Sequence, residues 1–129
     1  MDNKENFYNT VDQIYAADPR YKPDSYEFVI QALNFTQNRL KRNGHVASEE
    51  LLGGIKDFAI NLYGPMAKAV LNHWGIRKTQ DFGNIVFNMI EKKLLSKTDQ
   101  DAIEEFADIY DFDVVFSDKL RENIIKEVK

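Results

Sequence analysis

Two histidines, His45 and His73, are the only imidazoles in a 129-residue chain that has no cysteine. Neither has a second histidine four residues away. No HExxH, Walker A or G-x-S-x-G string occurs, so no zinc-hydrolase, phosphate-loop or nucleophile-elbow chemistry is encoded locally. The carboxylates Asp99, Asp101, Glu104, Glu105, Asp108, Asp111 and Asp113 suggest calcium, whose helix-loop-helix site needs oxygen ligands at loop positions 1, 3 and 5, a Gly at 6 and a Glu at 12. Counting from Asp99 puts Ile103 at the fifth position, Glu104 at the sixth and Tyr110 at the twelfth, so the pattern fails and a solvated acidic face is expected. No metal, cofactor or catalytic residue is expected, and the balance leans away from an enzyme.

Other patterns point to binding. Arg39, Lys41, Arg42 and His45 form the densest basic cluster, a candidate anion patch, although cations at the end of a helix also complement its dipole. Trp74, Arg77, Lys78, Gln80, Asn84 and Phe87 surround a turn between two helical segments and form a candidate interaction surface. The outline over 65–93 is that of a helix-turn-helix. Gln80 and Asn84 have the amides that could read an adenine edge, and Arg77 and Lys78 could touch a phosphate. Asp81 and the acidic segment that follows oppose that reading. His73 beside Trp74 is the remaining candidate for a small-molecule pocket.

These residues sit on elements that the apolar periodicity makes helical. Phe7, Val11, Ile14 and Tyr15 mark a helix over 3–17. Pro19 and Pro23 interrupt the chain, and Asp24 with Glu27 opens a helix to residue 41 that is apolar over a wide arc and therefore central. Asn43-Gly44 turns the chain. Ser48 is the expected N-cap of a helix over 48–62, carrying Leu51, Leu52, Ile55, Phe58, Ala59 and Leu62. Gly53-Gly54 within it suggests the close approach of another helix. Gly64 and Pro65 end that helix and start a short one over 65–74, with Met66, Ala69, Val70 and Trp74 on one face. Thr79 is the expected cap of a helix over 79–95 with Phe82, Ile85, Val86, Met89, Ile90 and Leu94 in its stripe. Gln80, Gly83, Asn84, Asn88 and Glu91 are its expected outward positions, and Phe87 lies off the stripe. Thr98 with Asp101 signals a further helix through Ile103, Phe106 and Tyr110. Residues 112–116 have strand-like composition, and Ser117 or Asp118 caps a last helix with Leu120, Ile124 and Val128. The expectation is an all-α, compact single-domain bundle (1–129) of six to seven helices, with one short extended segment near 112–116.

Net charge is -4, unevenly spread: residues 96–129 carry 5 basic and 10 acidic side chains, whereas residues 46–95 carry 6 basic and 5 acidic. An acidic last third argues against nonspecific coating of nucleic acid. Apolar runs fall far short of a membrane span, and no signal peptide is evident at the N-terminus, so a soluble cytoplasmic protein is expected.

The strings "HVASEELLGGI" (45–55), "GPMAKAVLNHWGI" (64–76), "DFGNIVFNMIEKKLL" (81–95) and "YDF" (110–112) carry a resemblance over about Asp18 to Phe116. The chain resembles a family of short conserved hypothetical proteins of planctomycetes, verrucomicrobia and related bacteria. The resemblance implies a bacterial, cytoplasmic, stand-alone domain. It brings no activity, cofactor or residue role with it. The leading functional expectation is a protein–protein interaction or regulatory module. A winged-helix-like nucleic-acid binder is the alternative, and a small-molecule or enzymatic pocket is third. The expected partner is another protein, with no membrane partner.

Overall fold

The computed structural model describes residues 3–96 and 102–116. The described residues are all helical or irregular, with no strand. Five helices have seven residues or more: α1 (Asn3–Ala17), α2 (Pro23–Leu40), α3 (Ser48–Tyr63), α4 (Ala67–His73) and α5 (Thr79–Glu91). A single helical turn, α6 (Phe112–Val115), follows, and two 3-10 turns occupy Gly64–Met66 and Ile103–Phe106. Among the described residues the expected six to seven helices are slightly too many. The segment through Ile103 and Phe106 forms one 3-10 turn, not a helix. The segment near 112–116 is helical rather than extended, because Asp111 caps it by accepting from the Asp113 N–H at 2.8 Å. The expected capping box at Thr98 and Asp101 and the expected last helix from Ser117 lie outside the described residues.

α2 is central, as its wide apolar arc requires. It packs against α1, α3 and α5. Tyr26, Phe28, Val29 and Ala32 are all but inaccessible, as are Leu52, Ile55 and Ala59 of α3 and Phe82, Ile85 and Met89 of α5. Each of the Val, Leu, Ile, Phe and Met side chains among them contributes about 1.5–3 kcal/mol on removal from water. α2 and α3 approach closely at Gly54, where a Cβ would lie 1.7 Å from the Thr36 hydroxyl oxygen; that hydroxyl donates to the Ala32 carbonyl at 2.8 Å. Gly53 faces open space, so only the second glycine of the pair serves the contact.

The helix starts differ from the expected caps, each for a tertiary reason. α2 begins at Pro23, which suits a first helical position, and Glu27 accepts from the Tyr8 hydroxyl of α1 at 3.0 Å rather than closing a capping box. Ala47 is the N-cap of α3, and its N–H donates to Glu50 at 2.9 Å; Ser48 instead donates to Glu105 at 2.9 Å. Lys78 is the N-cap of α5, and the Thr79 hydroxyl accepts from the Ile109 N–H at 3.2 Å. Both hydroxyls thus hold the acidic 102–116 segment. The short helix presents a different face from the expected one: Ala67 and Leu71 are buried, while Met66 and Ala69 are exposed, because a 3-10 turn at Gly64–Met66 precedes it and rotates its register. α5 ends at Glu91, four residues earlier than expected, where Lys93 takes a left-handed φ of 63° and the Leu94 N–H bonds back to the Met89 carbonyl at 2.8 Å.

Candidate functional site

α5 runs alongside α2 in the same direction, and the two ends of this pair have different chemistry. Toward the N-terminal end, and along one side of α5 as far as Asn88, a hydrogen-bonded polar seam joins α5 to residues 18–26. The Tyr21 hydroxyl donates to Asp81 Oδ1 at 2.6 Å and accepts from Asn84 Nδ2 at 2.9 Å. Asn88 Nδ2 donates to Asp18 Oδ2 at 3.0 Å and to the Tyr26 hydroxyl at 3.1 Å. Asp18 holds Arg20 through bonds of 2.8 and 2.7 Å. Asp81 Oδ2 accepts from the N–H groups of Arg77 (2.8 Å) and Lys78 (3.1 Å) and so fixes the turn before α5. That turn also bonds to the α1–α2 loop, the Lys22 N–H donating to the Trp74 carbonyl at 3.0 Å. Gly75 (φ +94°) allows this approach, since a Cβ there would stand 2.1 Å from the Arg20 carbonyl oxygen.

The electrostatics agree with that geometry. Arg20's paired hydrogen bonds hold the Asp18 carboxyl well below the usual carboxylate range, helped by Asn88. Burial pushes the Tyr21 phenol up to about 12; the bond from Asn84 opposes this and Asp81 adds to it. Tyr21 therefore keeps its proton at physiological pH and remains the donor to Asp81. Burial likewise raises Tyr26.

Most of the proposed recognition surface is engaged within the molecule. Asn84 and Asn88, expected to face outward, are bonded to the 18–26 segment. Gly83 is buried under Phe106, where a Cβ would meet the Phe106 Cβ at 2.8 Å. Gln80 Nε2 is bonded to Asp108 at 3.3 Å. The exposed Arg77 and Lys78 share a cleft of about 320 Å³ with Asp108 and Asp111, so they face the chain's own carboxylates. Lys68 pairs with Asp113 in the same way. Part of the acidic last third is thus complemented within the molecule. Trp74 belongs to an aromatic cluster, its ring centroid 5.4 Å from that of Phe28 and 6.1 Å from that of Tyr63. The neighbouring His73 is exposed, and neither residue lines a described cavity.

At the C-terminal end the same helix pair does not close. A solvent-open groove of about 360 Å³ lies between the second half of α2, the 43–48 loop, α5 and the 103–106 turn. Its apolar surface comes mainly from Leu33, Leu51, Val86, Phe87, Ile90 and Phe106. Gln37, Asn43, His45, Ser48 and Ser96 add polar groups. The volume falls within the range of small-ligand and anchor-residue pockets. Of the proposed residues, Phe87 and His45 meet here, although they came from two separate patches. The rest of the anion patch is partly committed: Arg39 pairs with Asp57 at 2.6 Å and Arg42 with Glu50 at 2.7 Å, while Lys41 extends to solvent.

Leu33, Val86 and Ile90 were not foreseen as site residues. Their periodicity marks them as core, and they are core on one side. Only Phe87, lying off the stripe of α5, signalled a second apolar face. Among the described residues no group of three or more His, Cys, Asp or Glu could hold a metal ion, and no helix is long and apolar enough to cross a membrane. No family model, curated protein or solved structure matches the chain.

Proposed function

We propose that this chain is a protein-interaction module and that the groove at the C-terminal end of the α2–α5 pair seats an apolar side chain of a protein partner. The observation that carries this reading is an open apolar hollow of about 360 Å³ between helices that are otherwise closely joined. Protein interiors pack to near-crystalline density, and side chains lining a gap lose contacts that an inserted group restores. A rigid pocket that takes one large apolar anchor is the usual centre of an interface hot spot. The groove also rests on regular elements: α2 and α5 supply two of its walls, and the Ser48–Glu105 hydrogen bond holds the 103–106 turn that supplies another.

A nucleic-acid reading has less support, because Asn84 and Asn88 make intramolecular hydrogen bonds and Arg77 and Lys78 share their cleft with carboxylates. A catalytic reading also has less support, because the groove is mostly apolar and its Ser48 is a buried side chain whose hydroxyl donates to Glu105 at the helix start. The test is a tagged pull-down from the native cell after nuclease treatment, comparing wild type with Phe87→Lys. A stoichiometric protein retained by wild type and lost from a folded Phe87→Lys is the expected result. Equal retention by both would overturn the groove assignment.

A further inference from the structure

Resting on the groove reading, we infer that the partner segment is acidic, with a carboxylate beside its apolar anchor that meets the lysines gathered where α2 and α5 end. Lys41 follows the last residue of α2, and Lys92 and Lys93 follow the last residue of α5. Both ends lie at the groove. Lys41 comes just before the lining residues Asn43, Gly44 and His45, and Lys92 and Lys93 lie between the lining residues Ile90 and Leu95. All three lysines are exposed, and none has a salt-bridge partner among the described residues.

Other charged residues around the rim compensate these lysines only in part. Arg39 and Arg42 are paired with Asp57 and Glu50. Glu105 accepts from Ser48. Glu91 is on the last turn of α5, while Glu49 and Glu104 are on the opposite side, near the start of α3 and on the 103–106 turn. Two helix C-termini contribute roughly half a negative charge each. Among the described residues, they and Glu91 stand against three lysines on this side, so this rim stays cationic. A segment that seats an apolar side chain in the groove and carries carboxylates on the α2–α5 side complements both the groove and this rim. Such complementarity sets orientation and encounter rate more than final affinity.

The experiment is selection of a random peptide-display library on the immobilised full chain, run in parallel on Phe87→Ala and on Lys92→Glu/Lys93→Glu. The double variant changes only exposed positions at a helix end, so it preserves the core. The expected wild-type enrichment is Asp or Glu next to one Leu, Phe or Trp, with binding of the enriched peptides falling several-fold as salt rises. Phe87→Ala is expected to lose the enrichment, and the double reversal to lose the acidic preference while keeping the apolar one. Enrichment that needs Phe87 but shows no acidic preference, or an acidic preference unchanged by the double reversal, overturns this inference and leaves the groove reading standing. Enrichment indifferent to Phe87, or none at all, overturns both.

Discussion

The two ends of the α2–α5 interface share a pair of helices and a direction, but one is closed and the other open. At the closed end Asp18, Arg20, Tyr21, Tyr26, Asp81, Asn84 and Asn88 are linked by hydrogen bonds of 2.6–3.1 Å. At the open end Leu33, Val86, Phe87 and Ile90 line a groove that stays accessible. Asn84 and Asn88, which looked like part of a reading surface, are hydrogen-bonded within the molecule, and apolar residues that looked like plain core line the candidate site. A polar side chain whose hydrogen bonds are all made within the fold has a structural reason to be there.

Substitutions can break or sharpen this contrast. The largest expected effect is beneath both ends. Ile85→Ala removes a fully buried side chain and should cost about 2–5 kcal/mol, read by denaturant unfolding. Next is the closed end, where Tyr21→Phe deletes one hydroxyl and leaves both Asp81 and Asn84 short of a partner. The expected cost is about 1–3 kcal/mol with no loss of partner binding. A Tyr21→Phe protein that unfolds like wild type would show that the seam is ornamental.

The same seam should be sensitive to acid. The folded-state value of Asp18 is depressed, chiefly by its hydrogen bonds with Arg20. Its contribution is therefore complete above the unfolded carboxylate value, shrinks as pH falls below it, and is gone only once pH has fallen through the depressed folded value. Melting temperatures of wild type and Asp18→Asn should differ at neutral pH, begin to approach one another below the unfolded value of about 3.9, and still differ at pH 3, because the gap closes only as pH falls through the depressed folded value. A gap that stays constant would remove the Asp18–Arg20 pair from the account. The smallest stability effect belongs to the open end. Phe87→Ala should cost about 1 kcal/mol, since its ring is only partly covered, while abolishing partner capture. A stability loss as large as that of Ile85→Ala would make Phe87 core and empty the groove of significance.

The helices were legible from periodicity because burial on one face imposes it. α1, α2, α3 and the stripe of α5 emerge where Val11, Val29, Leu52 and Ile85 predict them. Caps were less legible. Ser48 and Thr79 have the chemistry of N-caps, but their hydroxyls bond instead to Glu105 and to the Ile109 N–H, partners 57 and 30 residues away. The same distance hid the role of Asn84, whose partner Tyr21 lies 63 residues earlier. Gly53-Gly54 announced a close helix approach, but spacing alone could not say which glycine faces Thr36. The groove was least legible. It is a gap between elements, and a gap leaves no periodic trace beyond one aromatic residue off its stripe.

The most direct test places a photo-crosslinking amino acid at Phe87 and, separately, at Asn84, in the native cell. The account predicts one discrete protein adduct from position 87 and none from position 84, because the groove is open and the seam is closed. An adduct from position 84 with none from position 87 would contradict it and return the binding surface to the turn and the start of α5.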